Sequence, residues 1–213
     1  MPPTPRADVA KHLRRADRAF ARVIDESGPP PRRRPVRVDE RFGTLAASIL
    51  HQQLAVAAAA AIHGRVVAAV GDPITAAGLH RAGPDVLAAC GVSGPKRRSL
   101  FDLADKTLDG TIDFAAIGRM RDEGVEEVLT RVRGIGPWTA HIFCMFTLGR
   151  EDVWPVGDYG VRAGWTHLHG GGEIIAPRDL LEAGERFRPH RSAAAWYCWR
   201  ALESARSTPQ PTN

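Results

Sequence analysis

Two groups of residues in this chain have the types and spacing to do chemistry. The first is the run Arg133, Gly134, Ile135, Gly136, Pro137, Trp138 and Thr139. Glycines on either side of one apolar residue permit a turn with positive φ and a close backbone approach, and proline suits the first position of a following helix. The amides of such a turn, with those of the next helix's first turn, converge on one spot that suits a phosphate oxygen. That contact holds a nucleic-acid backbone without reading its sequence. The second group centres on Asp158, ahead of Tyr159, Val161, Arg162 and Trp165. A carboxylate there is a natural N-cap. It is also a fixed anion, of the kind that stabilises a developing cation or orients a water. Taken alone, each group has a plain structural reading as well: a glycine turn joins two packed helices, and an aspartate caps a helix.

The elements that position these groups are helical. Val125, Val128, Leu129 and Val132 fall at i, i+3, i+4 and i+7, which predicts a helix ending at Gly134. An apolar helix follows over 138–148, so the glycine turn is a hairpin between two helices. Upstream, residues 7–27 carry one helical stripe, and the prolines and arginines of 29–35 form a linker that admits neither helix nor sheet. Phe42, Leu45 and Ile49 mark one helix face, and Leu54, Ala58, Ile62 and Val66 another. The phase shifts across His51, Gln52 and Gln53, which predicts two helices meeting at a short polar surface turn. Gly83 and Pro84 break a further helix. Lys96, Arg97 and Arg98 open another, with Leu100, Leu103 and Leu108 facing inward. Two helices over 177–186 and 191–204 close the fold. No β-alternation of useful length occurs, and the fold class is all-α.

Composition sets bounds on function. At 213 residues the chain can build one substantial core or two packed lobes. Its 29 Lys and Arg against 24 Asp and Glu give a net charge of +5, which fits a polyanionic partner. Nearly all the basic residues are arginine in an Ala-, Gly- and Val-rich chain, so a GC-rich codon bias accounts for part of that excess. Cys90, Cys144 and Cys198 lie far apart, support neither a zinc site nor a disulfide framework, and read as buried apolar residues in a reducing compartment. His167 and His169 beside a run of glycines have the look of an exposed loop, and no metal site is assigned to them. There is no long apolar run and no signal-peptide core, which predicts a cytoplasmic protein without membrane contact.

Leu129, Gly134, Ile135, Gly136, Thr139 and Ala140, with Asp158 beyond them, resemble the helix-hairpin-helix (HhH-GPD) DNA glycosylase superfamily, and within it the alkylpurine, 3-methyladenine type II branch. The likeness extends through residues 185–193 to cover roughly 38–203. It implies an all-α helix-hairpin-helix glycosylase fold of two helical lobes with the active-site cleft between them. The domains expected on it are 1–36, an N-terminal helix and Pro/Arg-rich linker packing on the C-terminal lobe; 37–149, a lobe holding the helix-hairpin-helix at about 126–148; 150–206, a lobe carrying the catalytic aspartate; and a disordered tail, 207–213. It also implies that Asp158 is catalytic. Arg133, Gly134, Ile135, Gly136 and Thr139 would bind the DNA backbone, with Lys96 and Arg97 as a second contact. Gln53, then Gln52 or His51, would be the wedge that enters the duplex.

In such an enzyme the target nucleotide is extruded into a pocket, because a base inside the stack cannot be reached. The resemblance places Trp138 in that pocket and Trp199 near it. Ile142 stands where the branch carries a tyrosine, so Trp154 or Tyr159 is the candidate replacement wall. Members of the superfamily that also nick the strand have a lysine where Trp138 stands. Its absence implies a monofunctional hydrolase that leaves an abasic site after removing 3-methyladenine or 7-methylguanine type bases. The expected partner is double-stranded DNA containing a damaged base, engaged by a monomer, with no cofactor beyond at most a structural monovalent cation at the hairpin. Two other readings fit the same residues: a non-catalytic helix-hairpin-helix DNA-binding module, and a sister glycosylase for mismatched or oxidised bases.

Overall fold

The computed structural model describes residues 5–207. The described residues are 68% helical, and no strand occurs among them. The chain divides into two compact units, Met1–Arg34 with Gly149–Asn213, and Pro35–Leu148.

The single helix expected over 7–27 is two, α1 (Arg6–Ala16) and α2 (Ala21–Ser27), with a 3-10 turn at Arg18–Phe20 between them. Asp17 makes the break. Its backbone is extended and its carboxylate accepts the Ala19 N–H at 3.0 Å, the local bond through which aspartate competes with a helix. Val9, Leu13, Phe20 and Val23 are all buried, so the apolar stripe survives the interruption. Residues 28–37 carry no regular element, as their prolines require.

The second unit holds α3 (Arg41–His51), α4 (Val56–Val70), α5 (Ala76–Ala89), α6 (Gly94–Leu108), α7 (Phe114–Ile117), α8 (Asp122–Leu129) and α9 (Pro137–Phe146). α5 bends at Gly83, where φ is +77 just before Pro84. α6 packs on α5 and on α3, and Leu45, Ile49, Leu79, Leu100 and Leu103 are fully buried among these helices. Leu108, expected to face inward, is 60% exposed. It is the last residue of α6, where no neighbouring element covers the stripe.

The first unit resumes with α10 (Tyr159–Leu168), α11 (Pro177–Gly184) and α12 (Arg191–Ser207). α10 and α12 lie so close that a Cβ on Gly164 would fall 1.9 Å from the Cys198 carbonyl oxygen. Phe20, Trp154, Trp165 and Phe187 form an aromatic core with ring centroids between 5.0 and 6.3 Å apart. Cys90, Cys144 and Cys198 are buried thiols. His169 stacks on Trp165 at 4.0 Å and meets Asp17 at 3.0 Å, so it belongs to the packing of this unit. No described helix is long and apolar enough to cross a membrane. The tail expected to be disordered, 207–213, lies outside the described residues except for Ser207, which ends α12.

Candidate active site

The hairpin occupies the turn between α8 and α9. α8 ends at Leu129, earlier than the periodicity predicted, because the Thr130 hydroxyl donates back to the Glu126 carbonyl at 2.8 Å and the chain tightens there. Val132 and Ile135 are nonetheless buried and anchor the turn in the core. The Ile135 N–H returns to the Val132 carbonyl at 3.1 Å. Gly134 has φ +76, and a Cβ there would stand 2.6 Å from Ser99 Oγ, so both conformation and space require glycine. α9 then starts at Pro137, whose nitrogen carries no hydrogen, and the Ala140 N–H makes the first bond back, to the Gly136 carbonyl at 3.1 Å. The head of a helix following a glycine turn is the kind of backbone that receives a phosphate oxygen.

Two residues that sequence reasoning did not single out hold this turn from below. Asp102 accepts the Arg133 N–H at 2.7 Å and also pairs with Lys106. Burial alone would raise its pKa, but the Lys106 ammonium and the Arg133 amide outweigh burial and keep the carboxyl below its ordinary value. Ser99 packs under Gly134. Their only signal in the sequence is the shared face of one helix, which says nothing of what lies against it.

The basic residues of α6 are placed differently from the expectation. Lys96 Nζ donates to the Leu50 carbonyl at 2.6 Å, and Arg97 donates to the Val92 carbonyl at 2.8 Å. Lys96 thus bonds a carbonyl in the last turn of α3 and Arg97 one in the loop before α6, both in their own unit, where a phosphate contact was expected. Arg133 and Arg98 are exposed. The polar turn after α3 is on the surface as expected. Its two glutamines differ, since Gln52 Nε2 donates to the Gly134 carbonyl at 3.0 Å while Gln53 is exposed with φ +54.

Ser48, His51, Gln52, Gln53, Gly134, Trp138, Thr139 and Ile142 line an open pocket of about 550 Å³. Trp138 is 47% exposed there, a large aromatic surface left available to a ligand. Thr139 is buried, and Ile142 supplies an aliphatic wall. His51 is held below its ordinary pKa by burial and by nearby His63 and Lys96, which keeps the neutral imidazole at this wall. Among the described residues, no group of His, Cys, Asp and Glu is arranged to hold a metal ion.

Asp158 caps α10 in the first unit. It is 7% exposed, and its Oδ1 accepts two hydrogen bonds, from the Val161 N–H at 2.7 Å and from Trp199 Nε1 at 2.9 Å. Trp199, expected as a stacking surface, therefore orients the carboxylate. Gly160 makes this possible, because a Cβ on it would lie 2.8 Å from Trp199 Cδ1. Tyr159, next to Asp158, is 59% exposed. Trp154, offered as a pocket wall, is instead a core residue whose Nε1 donates to the Leu180 carbonyl at 2.7 Å and whose ring covers Gly184. The run 185–193 has a definite task. Ser192 Oγ accepts the Val153 N–H at 3.0 Å and donates to the Arg150 carbonyl at 2.8 Å, while Arg191 holds Asp152 at 2.8 Å and Glu185 at 3.1 Å. These bonds clamp the segment leading to Asp158.

Comparison with known proteins identifies relatives of this chain in sequence and in structure. Residues 46–189 match the family model described as HhH-GPD superfamily base excision DNA repair protein. The chain is 32% identical over 197 residues to DNA-3-methyladenine glycosylase 1 of Schizosaccharomyces pombe, covering 91% of this chain and 86% of that one. Among solved structures, it superposes on a DNA-3-methyladenine glycosidase from Bacillus halodurans with TM-score 0.82 and 33% identity, covering 93% of this chain and 90% of that one. It also superposes on the S. pombe 3-methyladenine DNA glycosylase Mag1 in complex with abasic DNA, with TM-score 0.83 and 30% identity, covering 95% of this chain and 100% of that one.

Proposed function

This chain belongs to the HhH-GPD superfamily of base excision DNA repair proteins, and on that premise we propose that it is a monofunctional 3-methyladenine-type DNA glycosylase. It hydrolyses the N-glycosidic bond of alkylated purines, 3-methyladenine and 7-methylguanine among them, and leaves an abasic site in double-stranded DNA. The observation that carries this reading is the buried carboxylate of Asp158, fixed on one oxygen by two donors, in a chain whose relatives are named as 3-methyladenine glycosylases.

The chemistry follows from the residues. The amides of the hairpin and of α9 grip a backbone phosphate, and Gln53, at the tip of the turn after α3, fills the place the extruded nucleotide vacates. Cleavage of the glycosidic bond builds positive charge on the deoxyribose, which a fixed anion stabilises while water attacks at C1′. Asp158 is that anion. An N3- or N7-alkylated purine is itself cationic and is attracted to an aromatic face by roughly 0.5–2 kcal/mol. Trp138 supplies such a face in a pocket whose nearest imidazole is kept neutral. No amine stands at position 138 to form a Schiff base, so no covalent intermediate is expected.

The test is release of free bases from methylated duplex DNA, separated by chromatography, with strand breaks appearing only after alkali. Release of 3-methyladenine and 7-methylguanine with no borohydride-trapped adduct is the expected result. DNA binding with no base released would instead mark a helix-hairpin-helix module without catalysis. Release confined to mismatched or oxidised bases would move the chain to a sister branch.

A further inference from the structure

Lys96, Ser99 and Asp102 succeed one another at i, i+3 and i+6 on α6 and so share one face of it. Each touches a different part of the site. Lys96 Nζ donates at 2.6 Å to the carbonyl of Leu50, in the last turn of α3 and just before Gln52 and Gln53. Ser99 Oγ stands under Gly134, and Asp102 accepts the Arg133 N–H at 2.7 Å. Gln52 closes the ring from the other side by donating to the Gly134 carbonyl at 3.0 Å. The probing loop and the glycine turn are therefore each fastened to one helix and to one another.

We infer that this face of α6, together with Gln52, is a splint that fixes the separation between the duplex-probing loop and the phosphate-holding turn, so that gripping the backbone drives the opening of the base pair. Lys96, Asp102 and Gln52 are its positioning residues. The inference rests on the glycosylase reading above. Extruding a paired nucleotide costs unstacking and unpairing, and a wedge on a loose loop retreats before that cost is met. A wedge held at a set distance from the anchored phosphate cannot, because the ordering is done before DNA binds. The same spacing sets the width of the pocket, whose walls come from His51, Gln52 and Gln53 on the loop and from Gly134, Trp138 and Thr139 at the hairpin. A lysine cation also suits the carbonyl end of α3, and burial holds the Lys96 ammonium below its ordinary pKa, as befits an internal bond.

The test uses the full chain with Lys96→Met, Lys96→Arg and Gln52→Ala. Single-turnover release of 7-methylguanine is measured from a fully paired duplex and from the same duplex with no base opposite the lesion. Binding to undamaged duplex is followed against salt. Lys96→Met and Gln52→Ala should each slow release from the paired duplex about tenfold, the scale of one lost hydrogen bond. They should approach the wild-type rate when the lesion has no partner, leave the salt slope unchanged, and recover with Lys96→Arg. An unchanged rate on the paired duplex overturns the splint. So does an equal loss on both substrates, which marks a merely structural role. A salt slope reduced by about one marks a direct phosphate contact at Lys96 and overturns it too. Gln52 lies on an exposed loop, so its variant decides the question even if Lys96→Met fails to fold. A wild-type protein that releases no base from either duplex overturns the glycosylase reading itself.

Discussion

Asp158 caps α10, and the proposed reaction asks the same side chain for its charge; the two roles can be separated by substitution. Asn keeps an acceptor for the Val161 N–H and for Trp199 but removes the charge. Asp158→Asn should therefore lose turnover by roughly 10²-fold or more while binding abasic DNA as well as wild type does. Single-turnover excision alongside equilibrium binding checks this, and near-native excision would remove Asp158 from the mechanism. Trp199→Phe keeps an aromatic ring, smaller than the indole, and loses the N–H donor to Oδ1. It should slow excision about tenfold in the wild type and add almost nothing in the Asp158→Asn background, the signature of residues acting through one another. The aspartate was legible in the sequence because an acid at a helix start is a recognisable pattern. Its partner was not, because Trp199 sits on α12 and meets Asp158 only through the crossing of α10 and α12.

That crossing, and the hairpin, are where single glycines decide an element. Gly164→Ala would drive a methyl into the Cys198 carbonyl, and overpacking of this kind typically costs about 1–3 kcal/mol. Urea unfolding should show the loss directly, and an unchanged midpoint would mean α10 can move away at no cost. Gly134→Ala combines a positive φ with a clash on Ser99 Oγ. The expected outcome is weaker DNA binding with little change in the fold, because the turn is exposed and the amides it aims are the ones displaced. The apolar pattern revealed both hairpin helices, and the Gly83-Pro84 pair revealed the bend in α5. Apolar periodicity has a limit at α8. It overran the end of α8 by several residues, since Val132 continues the apolar stripe while its backbone has already turned.

For the molecule as a whole, charge and protonation set the working range. A net charge of +5 predicts phosphate-driven binding that weakens steeply with salt. A slope near zero in a plot of log affinity against log salt would contradict the backbone grip. Stability should fall on acidification. Burial holds His190 below its ordinary pKa, aided by His12 and Arg6 and opposed by Glu151 and Asp152. The folded chain thus favours neutral His190, and the stabilisation is present above about pH 6.5, the unfolded value, and lost as pH falls through the lower folded one. His51 has the same sign. The unfolding midpoint in urea should drop between pH 7 and pH 5, and His190→Asn should flatten the drop.

The sequence by itself determined the all-α class, the helix-hairpin-helix and the acid at the head of α10. Each of these is written in residues close together in the chain, as a period, a glycine turn or a cap. Tertiary structure alone decided which polar groups were already committed. It turned Lys96 and Arg97 to internal carbonyls, buried Trp154, set Trp199 on Asp158, and bound Gln52 to Gly134 while leaving Gln53 exposed. The physical reason is that a side chain's type fixes the bonds it is able to make, whereas the partner it finds depends on packing between segments dozens of residues apart.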